Sequence, residues 1–171
     1  MKRIISLALC AAVMLCLFGC ASKINEPAVP VRFFYPLPTD SVSYGQEGGA
    51  ITHELREGAG HEGDTNYLLN LYLLGPSAEN LHNPFPADTK LVLLQVSNGI
   101  ADLILSEPFA QLTGMDLTVA CACLTLMLSE LTGAHAVSVS VNGMQLDGQS
   151  RITMQVKDLL MTDTSAVPEA E

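Results

Sequence analysis

The chain contains no tryptophan, and its aromatic residues are five phenylalanines and four tyrosines among 171 residues. Carbohydrate sites favour stacking rings, so this scarcity weighs against a sugar-binding platform. Basic residues are also few: eight Lys and Arg against eighteen Asp and Glu, for a net charge of −10. Nucleic acids and anionic lipid surfaces are held by clustered Lys and Arg. The basic residues here are scattered, which argues against nucleic acid as a partner. No Gly-x-Ser-x-Gly elbow is present, and no glycine-rich loop leads to a phosphate-binding Lys. Two of the five cysteines, Cys10 and Cys16, fall in an N-terminal apolar run. Cys121 and Cys123 stand two apart in a helical pattern, about 200° apart around the axis, and so face away from each other. They can neither pair nor share a metal, and they read as small core residues.

What is present begins at the N-terminus. Lys2 and Arg3 precede an apolar run over residues 4–18, broken only by Ser6. The run has signal-peptide length and is short for a membrane span. Leu17-Phe18-Gly19-Cys20 follows. It resembles the lipobox of bacterial lipoproteins, with an aliphatic residue three before the Cys and a small one just before it. Phe18 is bulkier than usual at its place. On this reading residues 1–19 are a signal peptide, recognised through Leu17, Phe18 and Gly19. Cys20 is then the lipid-bearing first residue of the mature protein. Each buried acyl CH₂ contributes about 0.8 kcal/mol, so two or three chains hold the protein at the extracytoplasmic face of the membrane. Removing residues 1–19 takes away two positive charges and leaves −12.

Residues 20–30 read as the lipidated Cys and a proline-punctuated tether, 31–160 as one domain, and 161–171 as a disordered acidic tail. Within the domain, residues 31–35 are β-branched and aromatic, a first strand ended by Pro36. Residues 51–56 form a second strand. Asp64-Thr65-Asn66 opens a helix that Gly75-Pro76 closes. Asn98-Gly99 lies between two apolar runs, the strongest short hairpin signal. Counting outward pairs 97 with 100, 96 with 101, 94 with 103 and 92 with 105. One face then holds Val92, Leu94, Val96, Ala101, Leu103 and Leu105, all apolar. The other face is mixed, with an apolar spot where Leu93 opposes Ile104. Asp116 or Thr118 caps a second helix running to Thr132, with Gly133 as its stop. Alternation over 137–141 and 152–156 gives two more strands, the first with one wet face. The expected fold is α+β: two helices packed on one face of a mostly antiparallel sheet of four to six strands.

These residues resemble a known family. Residues 68–77, Leu-Leu-Asn-Leu-Tyr-Leu-Leu-Gly-Pro-Ser, look like the helix ending in Leu-x-Gly-Pro of GerMN domains. Residues 86–91 resemble that family's Pro-x-Gly-Thr-x-Leu lead-in. Residues 98–106 resemble its hairpin, with Asp102 displaced from the usual place. Residues 124–143 resemble its second helix and final strand. The resemblance covers roughly 31–146 and implies sporulation and spore germination in a Gram-positive envelope. It implies a non-enzymatic role, with an architecture similar to ring-building modules of sporulation assemblies. Partners would be envelope or sporulation proteins, or further copies of the chain. Members often carry two such domains in tandem, and this chain has room for one. The family offers no catalytic residues and no cofactor to carry over.

A search for chemistry finds little. His53, Glu57 and His61 are four apart, a zinc spacing on a helix, but Gly58 and Gly60 break that helix and no metal site is expected. The long helix carries Leu117, Ala120, Cys121, Leu124, Met127, Leu128 and Leu131 on one side as its core face. Opposite lie Val119, Ala122, Cys123 and Leu126 at i, i+3, i+4, i+7. This second stripe is either an interaction surface or is covered by a strand, the tether or the C-terminal segment. An alternative to an assembly role is a lipoprotein that binds a cell-wall fragment or small solute.

Overall fold

Asn98 and Gly99 adopt φ of 53° and 73°, the two left-handed residues of a type I′ turn. The computed structural model describes residues 28–38 and 50–159. The residues read as the signal peptide, Cys20, most of those read as the tether, and the expected C-terminal tail lie outside the described residues. The turn joins β3 (Leu91–Ser97) to β4 (Ile100–Leu105) as an antiparallel pair. Ser97 pairs with Ile100, Val96 with Ala101, Leu94 with Leu103, and Leu93 with Ile104. Beyond that the sequence count fails. Leu105 pairs with Leu91 rather than Val92, because an irregularity between Leu91 and Leu93 accommodates an extra residue as a bulge does.

Before this hairpin come β1 (Pro30–Pro36) and β2 (Ile51–Glu57), an antiparallel pair, and helix α1 (Thr65–Leu73). Asp64 caps α1, its carboxylate accepting from the Tyr67 N–H at 3.0 Å. After the hairpin come a 3-10 turn over Glu107–Gln111 and helix α2 (Gly114–Thr132). β5 (Ala136–Val141) and β6 (Ile152–Gln155) follow. The order of strands and helices is the one expected. α2 starts earlier than expected, with Thr113 rather than Asp116 or Thr118 as its N-cap, and Gly133 stops it at φ 70°.

The fold is α+β, and among the described residues six strands divide between two sheets, β1-β2 and β3-β4-β5-β6. β4 and β5 run parallel. Parallel neighbours need a long crossover, which α2 supplies. α2 is apolar enough in composition to cross a membrane, yet β1, β5, β6 and α1 all touch it. A largely apolar helix must be covered by other elements, and here most of its residues from Leu117 to Leu128 are buried. The core runs from Phe33, Tyr35 and Tyr72 through Leu124, Met127 and Leu128 to Leu103, Leu105 and Val139.

Candidate interaction surface

The second stripe of α2 belongs to the interior. Ala122 and Cys123 are buried, and Val119 and Leu126 pack half-buried against the core. Cys123 lies against Tyr72. Ala122 lines a small groove with Met154 and Leu159, beside β6. The reading of Val119, Ala122, Cys123 and Leu126 as an interaction surface is therefore corrected. The two-stranded sheet and the β6 segment cover this side, and the pattern of α2 alone could not place either of them.

The exposed apolar residues lie elsewhere. Among the described residues β3 pairs only with β4, so it is an edge of the four-stranded sheet. Val92, Leu93 and Val96 are 53, 50 and 45% exposed. Counting from the turn placed Val92 and Val96 on the core face. Ala101, which pairs with Val96, and its β4 neighbours Leu103 and Leu105 are fully buried, but the core does not extend that far under β3. Val92 is the residue that the irregularity leaves outside the register, and for the rest of β3 length matters. α1 has nine residues, about 13 Å, whereas the seven-residue β3 spans about 23 Å. Between them an open groove of about 300 Å³ is lined by Asn66, Asn70 and residues 91–94. No signal in the hairpin pattern marks an edge, because alternation reports faces and not strand order.

The other edge is built differently. β6 has four residues, follows Arg151 and turns into a 3-10 segment containing Lys157. Short, charged edges resist further pairing. Residues 91–97 of β3 carry no charge.

Charged groups that could do chemistry instead hold turns. Glu54 on β2 accepts from the N–H groups of Ser77 and Ala78 and pairs with Arg56 at 2.6 Å. Arg56 donates to the Gly75 carbonyl at 2.7 Å and lies over the Phe33 ring. This pair thus clamps the Gly75-Pro76 corner after α1. The Glu57 carboxylate accepts from the N–H groups of Ala59, Ala28 and Val29, which hold its pKa below the usual range. It fixes the chain where it enters the domain.

His53, Glu57 and His61 do not converge. His53 on β2 tilts against Phe34 on β1, while His61 stacks on Tyr67. No group of three or more metal-ligating side chains occurs among the described residues. Burial pushes the Cys121 thiol up to about 12 and raises that of Cys123 as well, so neither is a ready nucleophile. On the open face of the large sheet a polar row crosses all four strands through Gln95, Asp102, Ser138 and Thr153. Thr153 donates to the Ser138 hydroxyl at 3.3 Å, and Arg151 pairs with Asp102 at 3.5 Å. Leu17, Phe18, Gly19 and Cys20 lie outside the described residues.

A comparison with curated proteins finds no match. Among solved structures, the tandem GerMN domains of the sporulation protein GerM from Bacillus subtilis align over 81% of this chain and 48% of that one. The identity is 19% and the TM-score 0.52. The first GerMN domain of that protein aligns over 75% of this chain and 99% of that one, at 16% identity and a TM-score of 0.53. At such identities the likeness concerns the fold. This chain spans about half the length of the tandem structure, 48%. In sequence, the profile of the family described as Germane, sporulation and spore germination, matches residues 34–147, more than half of the chain. The chain therefore belongs to the Germane family, the GerMN-type domains of sporulation and spore germination proteins.

Proposed function

We propose that the chain is a lipoprotein anchored at the extracytoplasmic face of the cell membrane. Its domain acts in sporulation or spore germination by binding other proteins, either envelope proteins or its own copies, and not by catalysis. The uncovered apolar edge of β3 carries the interaction reading, in a domain whose best-placed charged groups hold turns. GerMN domains are a non-enzymatic family, which supports the same view. The anchor rests on the signal-peptide pattern and Cys20. Ala28 is held by Glu57, so eight residues, about 28 Å at full stretch, separate the lipid from the domain.

Cys20→Ser in a spore-forming host tests the anchor. The variant is expected to accumulate as an unprocessed precursor, and normal processing would overturn the assignment. Deleting the gene tests the setting: normal spore yield and germination would count against it. The second reading, a site for a wall fragment or small solute, draws on the groove between the Asn66 and Asn70 amides and β3. A rise in thermal midpoint with wall fragments would favour it.

A further inference from the structure

Building on the association reading, we infer that β3 is where two copies of this chain meet, strand against strand, antiparallel about a two-fold axis at Gln95. In a two-residue hairpin the closing pair, Ser97 and Ile100, exchanges hydrogen bonds, and so do Gln95 with Asp102 and Leu93 with Ile104. By alternation, Leu94 and Val96 turn their N–H and C=O groups toward the free edge. They form an unpaired backbone template.

Register follows from the irregularity. It ends the regular strand at Leu93, leaving residues 93–97 with Gln95 at their centre. Pairing about that centre sets Leu94 opposite Val96 twice, Leu93 opposite Ser97 twice, and Gln95 opposite itself. The two pairs beside the axis are thus apolar against apolar and the axis pair is amide against amide, while the outer pairs set Leu93 against the Ser97 hydroxyl.

Charge favours a second copy as the occupant. The chain carries −10, so most surfaces of two copies repel. Residues 91–97 hold no charge, and two copies can approach there without opposing like charges. A partner chosen by charge would find no complement on this strand. The β6 edge is shorter, four residues, with Arg151 before it and Lys157 soon after it. One short strand pair falls short of the roughly 1,200 Å² buried by stable interfaces. Association in solution is then weak, and confinement on a membrane raises the effective concentration that drives it.

The test is oxidative cross-linking of the full chain in a spore-forming host. Gln95→Cys places two thiols at a non-hydrogen-bonded pair, with Cα atoms about 4.5 Å apart, inside disulfide range. The expected result is a reducible dimer several-fold above that of the unmodified chain, whose own thiols after processing are the buried Cys121 and Cys123. Thr153→Cys on β6 should stay at the unmodified level. Adding Val96→Lys to Gln95→Cys should abolish the dimer without lowering the thermal midpoint. No excess dimer from Gln95→Cys overturns the inference, as does equal cross-linking from Thr153→Cys. Light scattering on the detergent-solubilised chain separates the two levels. Self-association without a Gln95 cross-link overturns the strand pairing and leaves the assembly reading standing. Absence of both overturns the strand pairing and the self-association part of that reading.

Discussion

Tyr35 and Tyr72 cross-link β1 and α1 inside the core: the Tyr35 hydroxyl donates to the Tyr72 carbonyl, and the Tyr72 hydroxyl donates to the carbonyl of Phe34, next to Tyr35. Their rings lie 4.9 Å apart, and both side chains are fully buried. β1 is thereby tied to α1 by two polar links inside an apolar interior. The two links differ in what depends on them. The Tyr72 carbonyl also accepts from Gly75, so Tyr35→Phe leaves it one partner. That variant is expected to lose about 1 kcal/mol, and Tyr72→Phe more, up to about 3 kcal/mol, because it strips the link to Phe34. Urea unfolding with unchanged slope checks this, and equal losses would contradict the asymmetry.

The same burial makes the fold sensitive to alkali. Tyr35, Tyr72, Cys121 and Cys123 all have raised pKa values, chiefly from burial. Raised acids bind more protons folded than unfolded, so stability is full below their unfolded pKa values and falls as pH rises past them. Loss should begin near pH 8.5, where exposed thiols ionise, and steepen above about pH 10, where exposed tyrosines do. Each group contributes up to about 1.4 kcal/mol per pH unit. Urea midpoints from pH 7 to 11 measure it. Cys121→Ala should flatten the first part of the decline.

The corner after α1 depends on β2. Glu54→Ala removes the acceptor for Ser77 and Ala78 and leaves Arg56, half-sheltered beside Phe33, without its carboxylate. A loss of about 2 kcal/mol is expected, discounted for the water that still reaches the pair. Gly75→Ala should be at least as harmful. Gly75 sits at φ 97°, and a Cβ there would lie 2.6 Å from the Asn83 amide. Thermal midpoints of both variants, read beside Glu54→Gln, separate lost charge from lost acceptor.

The order of elements, the type I′ turn, the helix start at Asp64-Thr65-Asn66 and the stop at Gly133 are all legible in the sequence, because each depends on local chemistry. The register held through Leu93–Ile104 and failed at the irregularity near Val92, since nothing in Leu-Val-Leu-Leu marks which residue is extra. Two misreadings share one cause. Val96 reads as core and Ala122 and Cys123 as a possible surface, yet the structure reverses both. Side-chain period shows that a face is apolar. It does not show whether another element reaches it, which here depends on the length of α1 and on β1 arriving from far away in sequence.

That reversal can be tested with a pair of charges. Leu126 packs half-buried against the core on the side of α2 that the sequence left open, whereas Val96 stands at a free edge. Leu126→Glu places a carboxylate against apolar neighbours and should cost about 2–4 kcal/mol. Val96→Lys places its ammonium in water and should change stability by less than about 0.5 kcal/mol. Chemical unfolding of the two variants side by side reads both numbers. A stable Leu126→Glu would return the stripe to the surface. An unfolded Val96→Lys would mean that β3 is covered, and its strand edge could not then serve as a meeting place for a second copy.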